Sequence, residues 1–91
     1  MARLLVVDDE KGIRNALVQV FEYEGHVVQA AEDGPEGLLA VPSFRPDVIF
    51  LDVKMPGMDG LDVLARLTAE APGVVVIMIS GHGTIDTAIE A

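Results

Sequence analysis

Ninety-one residues with no cysteine allow one small domain and exclude disulfides and thiol chemistry. A formal net charge of −9 argues against a nucleic-acid or anionic-membrane surface and suits a cation or a basic partner. No apolar stretch approaches the roughly 20 residues of a membrane helix, and a start of Met1-Ala2-Arg3, a short apolar run and then acids is no signal peptide.

In chain order, Leu4 to Val7 reads as a buried strand, and it ends in Asp8, Asp9 and Glu10. Ile13, Ala16, Leu17, Val20 and Phe21 follow helical spacing from Lys11 to about Glu24, and Gly25 can close that helix. Val27 to Ala31 is a strand of mixed polarity, which places it near an edge. Asp33, Gly34 and Pro35 open a short helix that runs to Pro42. Ser43 to Pro46 is a loop, with Arg45 held extended by the proline after it. Val48 to Leu51 is a second fully buried strand, cut off by Asp52. After a turn through Met55, Pro56 and Gly57, a helical pattern starts near Asp59 and Gly60, carried by Leu61, Leu64, Leu67 and Ala71 and stopped at Pro72-Gly73. Val74 to Ile79 is an unbroken apolar strand, Ser80 to Gly83 a loop, and Thr84 an N-cap for a helix through Ile85, Ala88 and Ile89.

Strands alternating with helices of this length imply right-handed crossovers and a parallel sheet. All strand C-termini then share one rim, where ligands of open parallel sheets bind. On that rim the sequence places Asp8, Asp9, Asp52 and Ser80. If the first and third strands are neighbours, their acids crowd together. Two carboxylates about 4 Å apart repel by roughly 4 kcal/mol at an effective dielectric near 20. Either a proton or a cation must sit among them. A hard dication fits, Mg²⁺ above all, since it takes one or two carboxylates and a phosphate oxygen. Asp is also a competent nucleophile for phosphoryl transfer.

Singly, each feature has a plain explanation. Acids after a strand can cap the next helix and suit its dipole. Asp52 can bond turn amides, and Ser80 can be a turn hydroxyl. Glu10 and Lys11 read as solvated helix-start residues, Met55 and Met58 as packing, and His26 and His82 as lone histidines without ligand spacing. The specific signal is the set: an acid pair after one strand, a lone Asp after another, a hydroxyl after a third.

The stretches LVVDDE from Leu5 to Glu10, DVIFLDVKMPGMDG from Asp47 to Gly60 and ISGHGT from Ile79 to Thr84 together resemble the receiver domain of bacterial two-component response regulators. The segment from Ser80 to Ala91 is similar to the subgroup found in enhancer-binding transcription activators. The resemblance implies a flavodoxin-like, doubly wound parallel α/β sheet of order 2-1-3-4 in a cytoplasmic signalling module that is not an enzyme in its own right. It implies that Asp52 accepts a phosphoryl group from a sensor histidine kinase. Asp8, Asp9, Asp52 and the backbone carbonyl of Lys54 would hold Mg²⁺. Ser80 would reorient toward the phosphoryl group, and Pro56 and Gly60 would shape the loop of the site.

The family pattern continues with a fifth strand, a lysine just beyond it and a fifth helix. Residues 1–91 are therefore expected to be a receiver domain cut short before that strand and helix, and neither Lys11 nor Lys54 lies where that lysine would. Without a fifth strand, Val74–Ile79 is expected to be an open apolar edge, inviting a homodimer through that edge or through the helix from Thr84. The same sequence also suits an interaction module that has lost phosphotransfer. A metal-dependent phosphohydrolase with an Asp nucleophile fits poorly, because the residue two beyond Asp52 is Lys54 rather than an acid. A nucleotide site fits least, since no glycine-rich phosphate loop follows a strand.

Overall fold

The apolar runs become strands and the helical periods become helices. The computed structural model describes residues 1–79 and, as backbone, Ile85–Ile89. The elements are β1 (Arg3–Val7), α1 (Lys11–Tyr23), β2 (Val27–Ala31), α2 (Gly34–Phe44), β3 (Val48–Asp52), α3 (Gly60–Glu70), β4 (Val75–Ile79) and β5 (Ile85–Ile89). One sheet takes the order β2-β1-β3-β4-β5. Its first four strands are parallel, as expected, and β2 is an edge. No described helix is long and apolar enough to cross a membrane.

The order of the strands decides what covers them. The chain steps from β1 to β2 in one direction across the sheet, then from β2 to β3 and β4 in the other. Right-handed crossovers therefore put α1 on one face and α2 and α3 on the other. The second face holds the main core: Leu5, Val7, Ile49, Leu51, Val76 and Met78 pack under Ala40, Phe44, Val63 and Leu67. The first face is thinner. Leu4 and Val6 are buried there, but no residue of α1 is, and Val20 remains 56% exposed. Phe21 stacks on Phe50 with ring centroids 4.6 Å apart, which is how α1 meets β3.

Four expectations need correction. The segment from Thr84 was expected to be helical, but Ile85–Ile89 is a strand antiparallel to β4, pairing Val75 with Ile89 and Ile79 with Ile85. Its sequence sets β-branched Ile85, Thr87 and Ile89 at every second position, which suits a strand. The unpaired backbone of β4 supplies the template. Consequently β4 is not an edge, and neither the Val74–Ile79 edge nor a helix from Thr84 is available as the dimer surface expected above. In α3, Leu61 is 60% exposed and Val63 is buried in its place. The stripe that faces the sheet is Gly60, Val63 and Leu67, at helical spacing from the true start of the helix.

The third and fourth corrections concern α2. The helix runs through Pro42 and ends at Phe44. Proline there forfeits one intrahelical bond, to Leu38, but the extra turn buries Phe44 in the core. Arg3 secures that end: its guanidinium lies 4.4 Å from the Phe44 ring centroid, and Nε donates to the Phe44 carbonyl at 2.7 Å. Arg45, expected to be extended, is left-handed at φ 54 and donates its N–H to the Val41 carbonyl. Closing the helix this way outweighs the steric preference imposed by Pro46. An exposed non-glycine residue in that conformation costs about 1 kcal/mol. Arg45→Gly should therefore raise the unfolding free energy by about 1 kcal/mol, read as a higher urea midpoint at unchanged slope.

Candidate functional site

The site begins with register. Val7 of β1 is paired with Leu51 of β3, so the next residues, Asp8 just past β1 and Asp52 at the end of β3, stand side by side at the rim. Asp8 is 1% and Asp52 7% exposed, while Asp9 lies open to solvent. One carboxylate oxygen from each of Asp8, Asp9 and Asp52 lies within 4.8 Å of the others. The three acids singled out in the sequence are thus brought together.

Backbone amides hold the two buried members. The Glu10 amide donates to Asp8 Oδ1 at 2.8 Å, and the Lys54 amide donates to Asp52 Oδ1 at 3.2 Å. The Asp8 amide donates in turn to the Ala31 carbonyl at 3.1 Å, fixing the strand end to β2. Glu10, whose amide does this work, is the N-cap residue of α1. These bonds favour the ionised carboxylates, but burial wins. Desolvation pushes Asp52 up from 3.8 to about 6, with the Asp8 and Asp9 charges adding to it and the Lys54 amide opposing. Asp8 is raised as well, again mainly by burial, against the pull of the Glu10 amide.

The loop after β3 is built to turn sharply beneath these acids. Met55 is buried, as a packing residue should be, and Gly57 takes φ 78. Gly60 donates its amide to the Val53 carbonyl at 2.9 Å and lies directly against the Asp52 and Val53 backbone. Asp59 and Asp62 form a reciprocal capping box that starts α3. The expected contribution of Lys54 is partly visible: its amide reaches Asp52, while its side chain is exposed. Ser80, Thr84 and His82 lie outside the described residues.

Two roles escaped the sequence. Arg14, on the second turn of α1, donates from Nη1 to the Asp8 carbonyl at 2.8 Å. Nothing in the spacing separates it from Lys11, which is exposed. His26 accepts the Ala2 amide on Nδ1 at 3.0 Å, tying down the start of β1. The donors at the acid cluster are all oxygens, two of them on buried carboxylates that repel one another. That set suits a hard dication, which would replace the proton such crowding otherwise invites.

Residues 4–91 match the family model described as the response regulator receiver domain. The chain is 41% identical over 90 residues to the nitrogen assimilation regulatory protein NtrX of Azorhizobium caulinodans, covering 97% of this chain and 20% of that protein. It therefore spans about a fifth of that relative's length. It is 39% identical over 84 residues to sporulation initiation phosphotransferase F of Bacillus subtilis, covering 92% of this chain and 68% of the relative. Among solved structures, response regulator protein TrrA of Thermotoga maritima, in complex with Mg²⁺-BeF, superposes with a TM-score of 0.83 at 36% identity, covering 90% of this chain and 73% of that one. With its sheet order, its acid cluster and a family match over nearly its whole length, the chain belongs to the response regulator receiver domains.

Proposed function

We propose that residues 1–91 form the phosphoacceptor unit of a cytoplasmic two-component phosphorelay, with Asp52 as acceptor and a sensor histidine kinase as donor. One observation carries this reading: a carboxylate that is 7% exposed, gripped on one oxygen by the Lys54 amide, and set at a β-strand tip beside two further acids. An Asp52 oxygen attacks the phosphorus of a phosphohistidine. A P–O bond forms, the P–N bond breaks, and the imidazole leaves with a proton from solvent. Bound by Asp8, Asp9, Asp52 and the Lys54 carbonyl, Mg²⁺ would supply the positive charge that the transferred group requires. The Mg²⁺-BeF complex of TrrA supports that choice of ion. The amides of Glu10 and Lys54 keep Asp8 and Asp52 oriented. Ser80 then follows the phosphoryl group, and the segment beyond it shifts between two arrangements that a partner can distinguish. The output is transcription regulation, in keeping with the name of a further relative, the probable transcriptional regulatory protein TcrX of Mycobacterium tuberculosis, 38% identical over 86 residues.

The test is incubation with acetyl phosphate and Mg²⁺. A hydroxylamine-labile adduct of about 80 Da, one phosphoryl group, should form on the wild type and not on Asp52→Asn. An adduct that persists in Asp52→Asn would remove the assignment.

A further inference from the structure

Beside three crowded carboxylates, the strongest place for a guanidinium is a two-pronged pair with one of them. Arg14 is within reach and does otherwise. Its Nη1 donates to the Asp8 backbone carbonyl at 2.8 Å, and its Nη2 lies 4.0 Å from Glu32, the residue just past the end of β2. Among the described residues it makes no ion pair with Asp8, Asp9 or Asp52. Its side chain is only 16% exposed, so this placement is fixed by packing rather than solvent. The arrangement leaves the acids unneutralised while clamping the turn that carries two of them.

We propose that Arg14 is a positioning residue: by tying the Asp8 carbonyl to α1, it holds Asp8 and Asp9 in the spacing a divalent ion requires, with Glu32 keeping the guanidinium from falling onto the acids. The proposal rests on the acid cluster being a cation site, as argued above. Three anchors then act on Asp8 at once: its amide on Ala31, its carboxylate on the Glu10 amide, and its carbonyl on Arg14. The first two are backbone and any sequence could supply them. The third depends on one side chain, and no other residue of α1 reaches the turn from that side among the described residues.

Coulomb's law gives this idea a sharp test, because it predicts the opposite sign. Removing a positive charge near a cation site should tighten cation binding, whereas losing a clamp on the ligands should weaken it, typically by 10-fold or more for outer partners of metal ligands, an order-of-magnitude figure of about 10–100. Mn²⁺ binding to the domain is measured by titration calorimetry and by electron paramagnetic resonance of the free ion. Arg14→Met keeps the buried stem and loses the fork, and its Mn²⁺ affinity should fall about tenfold. Arg14→Lys keeps the charge without the planar fork and should fall between the two. If the wild type binds and Arg14→Met binds equally or more tightly, the role of Arg14 is overturned and the cation site stands. If the wild type binds no Mn²⁺, the cation site itself fails, and the role of Arg14 with it. Should Arg14→Met not fold, Arg14→Lys decides: an affinity equal to wild type overturns the proposal, and a loss supports it.

Discussion

Asp52→Asn should make the metal-free domain more stable near pH 7, by about 2 kcal/mol, while removing the proposed acceptor. The sign follows from the raised Asp52 carboxyl. In the unfolded chain this group titrates near 3.8, and in the folded domain at about 6. Between those values the folded state holds a proton that the unfolded state has released, so stability falls as pH rises from about 4 to about 6 and then levels off. A displacement of that size corresponds to about 3 kcal/mol at neutral pH, and Asn recovers most of it because its amide oxygen can still accept from Lys54. Asp8 is displaced in the same direction and adds to the slope. The advantage of Asp52→Asn should therefore shrink as pH falls below about 6 and vanish below about pH 3, where both carboxyls are protonated in either state. Millimolar Mg²⁺ should narrow it from the other side, by stabilising the folded wild type more than the variant. Urea unfolding of the two proteins across that pH range, with and without Mg²⁺, checks all three statements. An Asp52→Asn domain no more stable than wild type at neutral pH would show that the acids are not in conflict.

Gly60→Ala should be severely destabilising, by about 3 kcal/mol or more. The first residue of α3 rests on the backbone at the end of β3: an added Cβ would overlap the Asp52 carbonyl oxygen and come within 2.7 Å of the Val53 Cα. Neither can rotate away as a side chain would. Relief demands that β3 and α3 part, and the Gly60 amide bond to the Val53 carbonyl would stretch with them. Because the strand that must move carries Asp52, the variant should lose divalent-ion affinity in whatever fraction still folds. Denaturant unfolding paired with Mn²⁺ titration measures both losses. A Gly60→Ala domain of wild-type stability would mean that the contact between helix and strand is looser than these distances require.

Much of this was legible in the residues. The unbroken runs Leu4–Val7 and Val48–Leu51, each halted by acid, announced two strands; that they are neighbours was implied only by the family resemblance, and their pairing in register brings Asp8 to Asp52. The mixed polarity of Val27–Ala31 correctly foretold an edge. What misled was local: Leu61 has the right residue type for a buried face, yet helix phase is set by where the capping box starts α3, and it turns Leu61 outward. Pro42 reads as a stop in sequence, but the burial of Phe44 pays for one missing hydrogen bond. The segment Ile85–Ile89 carries both helical and alternating patterns, and only the neighbouring strand's open backbone decides between them. Arg14 was invisible for another reason: its partner is a carbonyl, and every residue has one.

The unequal clothing of the two sheet faces has a dynamic consequence. Segments with few buried apolar contacts open locally at lower free energy than the core. On that measure α1, with nothing fully buried, belongs to an easily opened unit, and β3 with α3 belongs to the slowest-exchanging one. Asp9 leads into the first, while Asp8 lies just past the buried strand β1 and Asp52 ends β3. Whatever is captured among those three side chains therefore staples a loose cooperative unit to a firm one, and occupancy of the rim becomes protection for the whole flank of the molecule.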